Sequence, residues 1–242
     1  MNPIILIPAR MAAARLPGKP LADIAGKPMI VRVWERAMAA GLGPVAVAAG
    51  EPEIVRAIES AGGTAILTDP ALPSGSDRIF AALQKLDPDG RHDVVVNLQG
   101  DLPALEAETI HAVAAALPGA DIATLAAEIT EPSERTNPAV VKAVVAWEAN
   151  GKKGRALYFT RTSTPSGEGP LFHHLGIYAF TRPALARFVG LPPSPLEKRE
   201  KLEQLRALEA NMSIAVARVD RVPLSVDTPA DLERANQILK KP

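Results

Sequence analysis

The stretch that decides the fold is Val94-Val95-Val96-Asn97-Leu98-Gln99-Gly100-Asp101, a valine run that gives way at once to polar residues, a glycine and a carboxylate. Three successive β-branched residues are the strongest strand signal in the chain. Working back from it, residues 76–86 read as a helix after a proline-rich loop, 64–67 as a short strand, 51–61 as a helix stopped by Gly62-Gly63, and 45–48 as a strand. Before these, Pro28 sits where an N1 proline opens a helix, and Ile30, Val33, Trp34 and Ala37 keep helical spacing up to Gly41. Residues 4–7, Ile-Ile-Leu-Ile between Pro3 and Pro8, form a continuous apolar run of the kind covered on both faces. Strands alternating with helices imply right-handed βαβ units. The expected fold class is α/β, with a mostly parallel sheet flanked by helices.

Past residue 120 the pattern changes. Residues 140–147 and 173–180 look like strands separated by loops, one of them the polar stretch 163–169. Residues 196–210 (LEKREKLEQLRALEA) predict one amphipathic helix with Leu196, Leu202, Leu205 and Leu208 available to one face and charges that are mostly solvated. A strand at 214–219 and a helix at 229–239 return to the α/β style. The organisation expected is one domain over residues 1–242 that contains a smaller mixed lobe at roughly 130–212.

Composition bounds the function. At 242 residues the chain is long enough for one large α/β unit with an attached lobe. Lys plus Arg and Asp plus Glu both number 27, a balance that argues against a general nucleic-acid binder or a polybasic membrane-surface protein, so any charged site is local. Cysteine is absent, which removes disulfides, thiolate zinc sites, iron–sulfur clusters and a cysteine nucleophile, and suits the cytoplasm. The run at 4–7 is too short for a signal peptide, and no apolar run approaches the roughly 18 residues that span a bilayer. The expectation is a soluble cytoplasmic protein with no membrane or nucleic-acid partner.

Three segments carry chemistry. The loop Pro8-Ala9-Arg10 through Lys19-Pro20-Leu21 holds Arg10, Arg15 and Lys19 between prolines and a glycine at the carboxyl end of a strand, where open α/β sheets bind ligands. It is a candidate triphosphate cradle, though neither a Walker A loop, because Pro20 follows Lys19, nor a Rossmann fingerprint. Asp101 ends the valine strand after Gly100, well placed to hold Mg²⁺ against phosphates. Asp227 stands just before the closing helix, where on its own it reads more readily as an N-terminal cap. Ser74-Gly75-Ser76-Asp77-Arg78 offers hydroxyls, backbone N–H groups and a guanidinium to a base or ribose, or a plain helix cap. His173 and His174, adjacent on a strand, point to opposite faces. No spacing of a zinc site and no G-x-S-x-G elbow is present.

In order along the chain, PARMAAARLPGKPLADIAGKPMI (8–30), SGSDR (74–78), NLQGD (97–101), ALYFTR (156–161), HHLGIYAF (173–180), SPLEKREKLEQLRALE (194–209) and VDTPADLE (226–233) resemble the 3-deoxy-manno-octulosonate (Kdo) cytidylyltransferases. The resemblance implies a Rossmann-like, GT-A-like nucleotidyltransferase sheet, a homodimer formed through the second lobe, and transfer of CMP from CTP to the anomeric hydroxyl of Kdo, releasing pyrophosphate, for lipopolysaccharide synthesis. It implies that Arg10 and Lys19, with Arg15 nearby, hold the triphosphate against the backbone of Pro8 and Ala9. Gln99 and Arg78, with Ser74, Gly75 and Ser76, read cytosine and ribose. Asp101 and Asp227 ligate Mg²⁺, which overturns the capping reading of Asp227. Arg161 meets the Kdo carboxylate, while His174, Tyr178, Glu203 and Gln204, together with Gln99, contact its hydroxyls. Two departures from the family pattern stand out: Leu102 follows Asp101 where the family usually has a glutamate, and an acidic residue is common near Gly50. A cytidylyltransferase for sialic acid or an amino analogue of Kdo is the nearest alternative, and the LEQLR and HHLGIY segments favour Kdo.

Overall fold

The computed structural model describes residues 1–12 and 16–240. In chain order its elements are β1 (Pro3–Ala9), a 3₁₀ turn at Lys19–Leu21, β2 (Asp23–Ile24), β3 (Lys27–Pro28), α1 (Met29–Ala39), β4 (Val45–Ala49), α2 (Pro52–Ser60), β5 (Thr64–Leu67), α3 (Gly75–Leu86), β6 (Val94–Asn97) and α4 (Ala107–Ala116). Then follow β7 (Ile122–Glu128), α5 (Pro132–Thr136), β8 (Lys142–Trp147), β9 (Lys153–Thr160), β10 (Phe172–Thr181), α6 (Arg182–Gly190), α7 (Pro195–Glu200), α8 (Leu205–Glu209), β11 (Ile214–Val219) and α9 (Pro229–Leu239). They form two compact units, Met1–His111 with Pro223–Pro242, and Ala112–Val222. The lobe expected at 130–212 lies inside the second.

In the first unit the strands run β5-β4-β1-β6, and every one of these pairings is parallel. The apolar runs explain the order. Ile5, Leu6 and Ile7 of the central strand have no exposed surface, and β4 and β6 are buried throughout. Burying each such aliphatic side chain contributes about 1.5–3 kcal/mol, and helices on both faces supply the partners. From α1 come Met29, Ile30, Val31, Val33 and Ala37, from α2 Ile54 and Ile58, and from α3 Ile79, Ala82 and Leu83. Pro28 occupies the N-cap position of α1, one residue earlier than the N1 position expected. The C-terminal segment joins the same unit through a core of Ile24, Met29, Val226 and Ala235, with Leu16, Leu224, Leu232 and Leu239 packed against it.

The second unit corrects the expectation of a mostly parallel sheet. Its strands run β10-β7-β11-β9-β8, and only β7–β11 is parallel; the remaining pairs, including β10 with β8, are antiparallel. The architecture is therefore a mixed α/β one. The cause is connection length: five residues join β8 to β9, enough for a hairpin, whereas a parallel neighbour needs a crossover of a dozen or more. The alanine-rich strand β7 (IATLAAE) was not legible because alanine favours helix, and pairing on both sides overrides that preference.

The single helix expected at 196–210 is also corrected. It is two short helices, because Lys201 adopts a left-handed conformation (φ 56°) that ends α7 and lets Leu202 and Leu205 turn inward. Its charges are not all solvated. Arg206 is buried and donates from Nε and Nη2 to the two carboxylate oxygens of Glu197, at 2.9 and 2.6 Å.

Candidate active site

The loop after β1 is closed on itself before it meets anything else. Gly18 (φ 69°) precedes the 3₁₀ turn, Gly18 N–H reaches Met11 O, and Leu21 N–H donates to Gly18 O at 2.9 Å. Pro20 is buried, so Lys19 is carried on a fixed backbone. Arg15 lies outside the described residues. Across the sheet, Leu98 N–H donates to Leu6 O, which draws the residues after β6 along the end of β1. Gly100 serves this approach by being small: a Cβ there would stand 3.0 Å from Pro8 O and 3.2 Å from Ile30 Cδ1.

That path delivers Asp101 to Lys19. Lys19 Nζ donates to Asp101 Oδ2 at 2.8 Å and to Asp227 Oδ1 at 2.9 Å. Asp227 is brought in by the backbone bond from Val226 N–H to Asp101 O, 3.0 Å, and by the apolar core around Val226. It is not the cap of α9. Thr228 is, with a capping box in which Thr228 Oγ1 accepts from Asp231 N–H and Asp231 accepts from Thr228 N–H. Burial works to lower the Lys19 pKa, but the two carboxylates outweigh it and the ammonium is held above its ordinary value. Burial likewise raises Asp101, and Lys19 opposes it. Leu102, the departure after Asp101, is buried and fills core.

A cleft opens beside this cluster, with Lys19 and Asp101 in its lining and Asp227 outside it. Pro8, Ala9, Arg10 and Lys19 line one part of it; Ser74, Gly75, Arg78, Gln99 and Asp101 line the rest. Ser74 caps α3 by accepting from Asp77 N–H, so the capping reading of that segment holds alongside its place in the cleft wall; Ser76 is buried beneath. Arg78 is 2% exposed, and its guanidinium donates to Thr68 Oγ1 at 2.7 Å and to the carbonyls of Asp69 and Pro70 at 3.0 and 3.3 Å. These contacts tie the 68–70 segment to α3 and hold the Arg78 side chain in place, a role for Thr68 and Asp69 that the sequence alone does not signal. Gln99 Nε2 donates to Asn97 Oδ1 at 3.3 Å.

The remaining residues of interest belong to the second unit. His174 is buried, packs edge-on against Phe159 and lies 3.0 Å from Thr124 Oγ1. The Thr124 hydroxyl also faces the carbonyls of Leu175 and Ile177, which only accept, so its one proton goes to them and His174 Nε2 is the donor. Burial, with a smaller push from His173, pulls the His174 pKa down to about 3. Tyr178 stacks near it, its hydroxyl pKa raised by burial and by Glu203. Gln204 is buried and its Nε2 has no hydrogen-bond partner among the described residues. The Arg161 guanidinium is engaged with backbone: Nε to Glu200 O at 2.9 Å, Nη1 to Pro138 O at 3.0 Å, Nη2 to Lys201 O at 3.3 Å. His173 faces the other way, 3.9 Å from Glu134.

The Asp101 and Asp227 carboxylates suit a hard cation. Both converge on one positive centre, the Lys19 ammonium, and both are oxygen donors of the kind Mg²⁺ takes. Among the described residues no group of three or more His, Cys, Asp or Glu side chains could hold a metal, so such an ion would complete its shell with water and phosphate oxygens. No helix of the described residues is long and apolar enough to cross a membrane.

The comparisons with known proteins agree with one another. Residues 4–214 match the family model described as Cytidylyltransferase. The 3-deoxy-manno-octulosonate cytidylyltransferase of Parvibaculum lavamentivorans is 63% identical over 242 residues, covering 99% of this chain and 93% of its own. That of Paramagnetospirillum magneticum is 60% identical, covering 99% and 98%. A solved CMP:2-keto-3-deoxy-manno-octonic acid synthetase complexed with CTP superposes with a TM-score of 0.90 at 37% identity, covering 99% of this chain and 98% of its own. With this agreement in length, sequence and fold, the chain belongs to the 3-deoxy-manno-octulosonate cytidylyltransferase family.

Proposed function

We propose that this protein transfers CMP from CTP to the anomeric hydroxyl of Kdo, forming CMP-Kdo and pyrophosphate. The observation that carries the reading is the convergence of Asp101 and Asp227 on Lys19 at the margin of a cleft lined by Lys19, Asp101, Arg10, Arg78 and Gln99. The family membership and the CTP-bound relative support the same substrates. Sialic acid and the amino analogue of Kdo find no support in the relatives' names.

The nucleotide half is Rossmann-like and GT-A-like in this reading, and the chain acts as one domain whose second lobe binds the sugar and forms a cytoplasmic homodimer. Pro8, Ala9, Arg10, Arg15 and Lys19 take the triphosphate; Ser74, Gly75, Ser76, Arg78 and Gln99 take cytosine and ribose. Asp101 and Asp227 would hold Mg²⁺, which when bound would supply charge neutralisation for the phosphates and make the sugar hydroxyl easier to deprotonate. The Kdo oxygen attacks the α-phosphorus in line while the bond to the β-phosphate oxygen breaks, with no covalent enzyme intermediate. Catalysis is then positioning and electrostatic stabilisation, and Lys19 neutralises the charge that develops on the leaving pyrophosphate. In the free protein that ammonium is held by the two carboxylates, so loading of nucleotide and cation redistributes its bonds.

In the second unit, Gln204 has an amide nitrogen awaiting an acceptor, and His174, Tyr178 and Glu203 lie beside one another around buried aromatic surface; these would hold sugar hydroxyls. Arg161 is the carboxylate partner in this reading, and its fork would exchange a backbone carbonyl for the substrate. Phosphorus NMR of the mixture tests the proposal: CTP and Kdo should yield a sugar phosphodiester and free pyrophosphate, and orthophosphate with CDP would refute it.

A further inference from the structure

Glu51 stands at the N-cap position of α2, yet its side chain makes no capping bond there. Instead Glu51 Oε2 accepts a 2.8 Å hydrogen bond from Met11 N–H, at the entrance of the basic loop. Next to it, Gly50 N–H donates to Ala9 O at 2.9 Å, so residues 50 and 51 together grip residues 9–11. A side chain at Gly50 would crowd the site: its Cβ would lie 3.1 Å from Arg78 Nη1 and 3.3 Å from Arg10 Cβ. The glycine therefore gives room for Arg10 and Arg78 on either side of it. Arg78 is buried. Burial works against its charge, Arg10 adds to that, and Glu51 is the largest influence in its favour.

We propose that Glu51 is a positioning residue for nucleotide binding: through Met11 N–H, and beside the Gly50 N–H bond to Ala9 O, it fixes residues 9–11 and so sets where Arg10 stands in the cleft. Glu51 does not line the cleft, so it acts through those residues. The inference rests on the reading of the cleft as the CTP site. It has a definite sign. A carboxylate merely near a triphosphate would repel it, and its removal would tighten binding; a positioning carboxylate does the opposite.

Calorimetric titration of CTP with Mg²⁺ into the full chain, without Kdo, decides between them. Removing the acceptor of the partly buried Met11 N–H should weaken CTP binding by about tenfold in Glu51→Ala and lower the melting temperature modestly, with the KM for Kdo unchanged. Glu51→Gln keeps an oxygen for Met11 N–H but loses the charge, and should fall between wild type and Glu51→Ala. Equal or tighter CTP binding by Glu51→Ala overturns the inference. So does a loss of CTP binding that is accompanied by a raised KM for Kdo, since that marks a general loss of structure and not a local effect on residues 9–11. A wild-type chain that binds no CTP overturns the nucleotide reading itself.

Discussion

Lys19 Nζ lies 2.8 Å from Asp101 Oδ2, although 82 positions separate them in the chain. The contact exists because a closed loop after β1 and a close approach at Gly100 bring two strand ends together, and Asp227 joins from the C-terminal segment. One ammonium thus balances two carboxylates at the margin of the cleft proposed to take the triphosphate.

Replacing Lys19 by Met keeps the stem and removes the charge. Turnover per unit KM should fall by 100-fold or more, on the order of the loss of a transition-state charge partner. The uncompensated carboxylates should also lower stability, by about 1–2 kcal/mol, since the pair is only partly buried. Steady-state kinetics and chemical denaturation read the two effects separately.

Asp227 and Thr228 separate site from scaffold. Asp227→Asn should abolish most turnover and leave the denaturation midpoint close to wild type, because the helix cap is Thr228. Thr228→Ala should do the reverse, losing about 1 kcal/mol of stability while retaining catalysis. Survival of activity in Asp227→Asn would remove that carboxylate from the cation site.

How much of this was legible in the sequence depends on how local each signal was. Apolar runs and glycine stops gave β1, β4, β5 and the helices between them nearly to the residue. The break at Lys201 was not legible, because the leucine spacing satisfies either one helix or two short ones, and the choice is made by Leu202 and Leu205 turning into a core formed by other elements. Asp101 was visible as a strand-end carboxylate. Asp227 on its own reads as a cap, a reading that the family resemblance overturns, and Thr228 and Asp231 satisfy α9 between them. Glu51 was invisible as a site residue because its partner is the backbone N–H of Met11, which no side-chain pattern encodes.

Arg161→Lys tests the sugar half. Lysine keeps the charge but loses the planar fork that now grips the carbonyls of Pro138, Glu200 and Lys201. The KM for Kdo should rise about tenfold while the Kd for CTP stays unchanged. A normal KM for Kdo would take Arg161 out of substrate binding, and weakened CTP binding alone would move it to the nucleotide half.

His174 sets an acid limit. Its folded pKa, about 3, lies below its unfolded value near 6.5, so the unfolded chain binds a proton that the folded chain refuses. Stability is therefore full above pH 6.5 and declines as pH falls toward 3, by up to about 1.4 kcal/mol per pH unit within that window. Denaturation at pH 7 and pH 5 should show a smaller difference in His174→Gln than in wild type; an identical difference would contradict the burial of a neutral imidazole.

Pyrophosphate release from CTP, followed with each acid sugar in turn and with Mg²⁺ present or chelated, tests the central claim most directly. Release should require Kdo or a close analogue and should stop with EDTA, because Lys19 and the arginines alone do not balance a triphosphate beside Asp101 and Asp227. Faster turnover with sialic acid than with Kdo, or undiminished release in EDTA, would contradict the account.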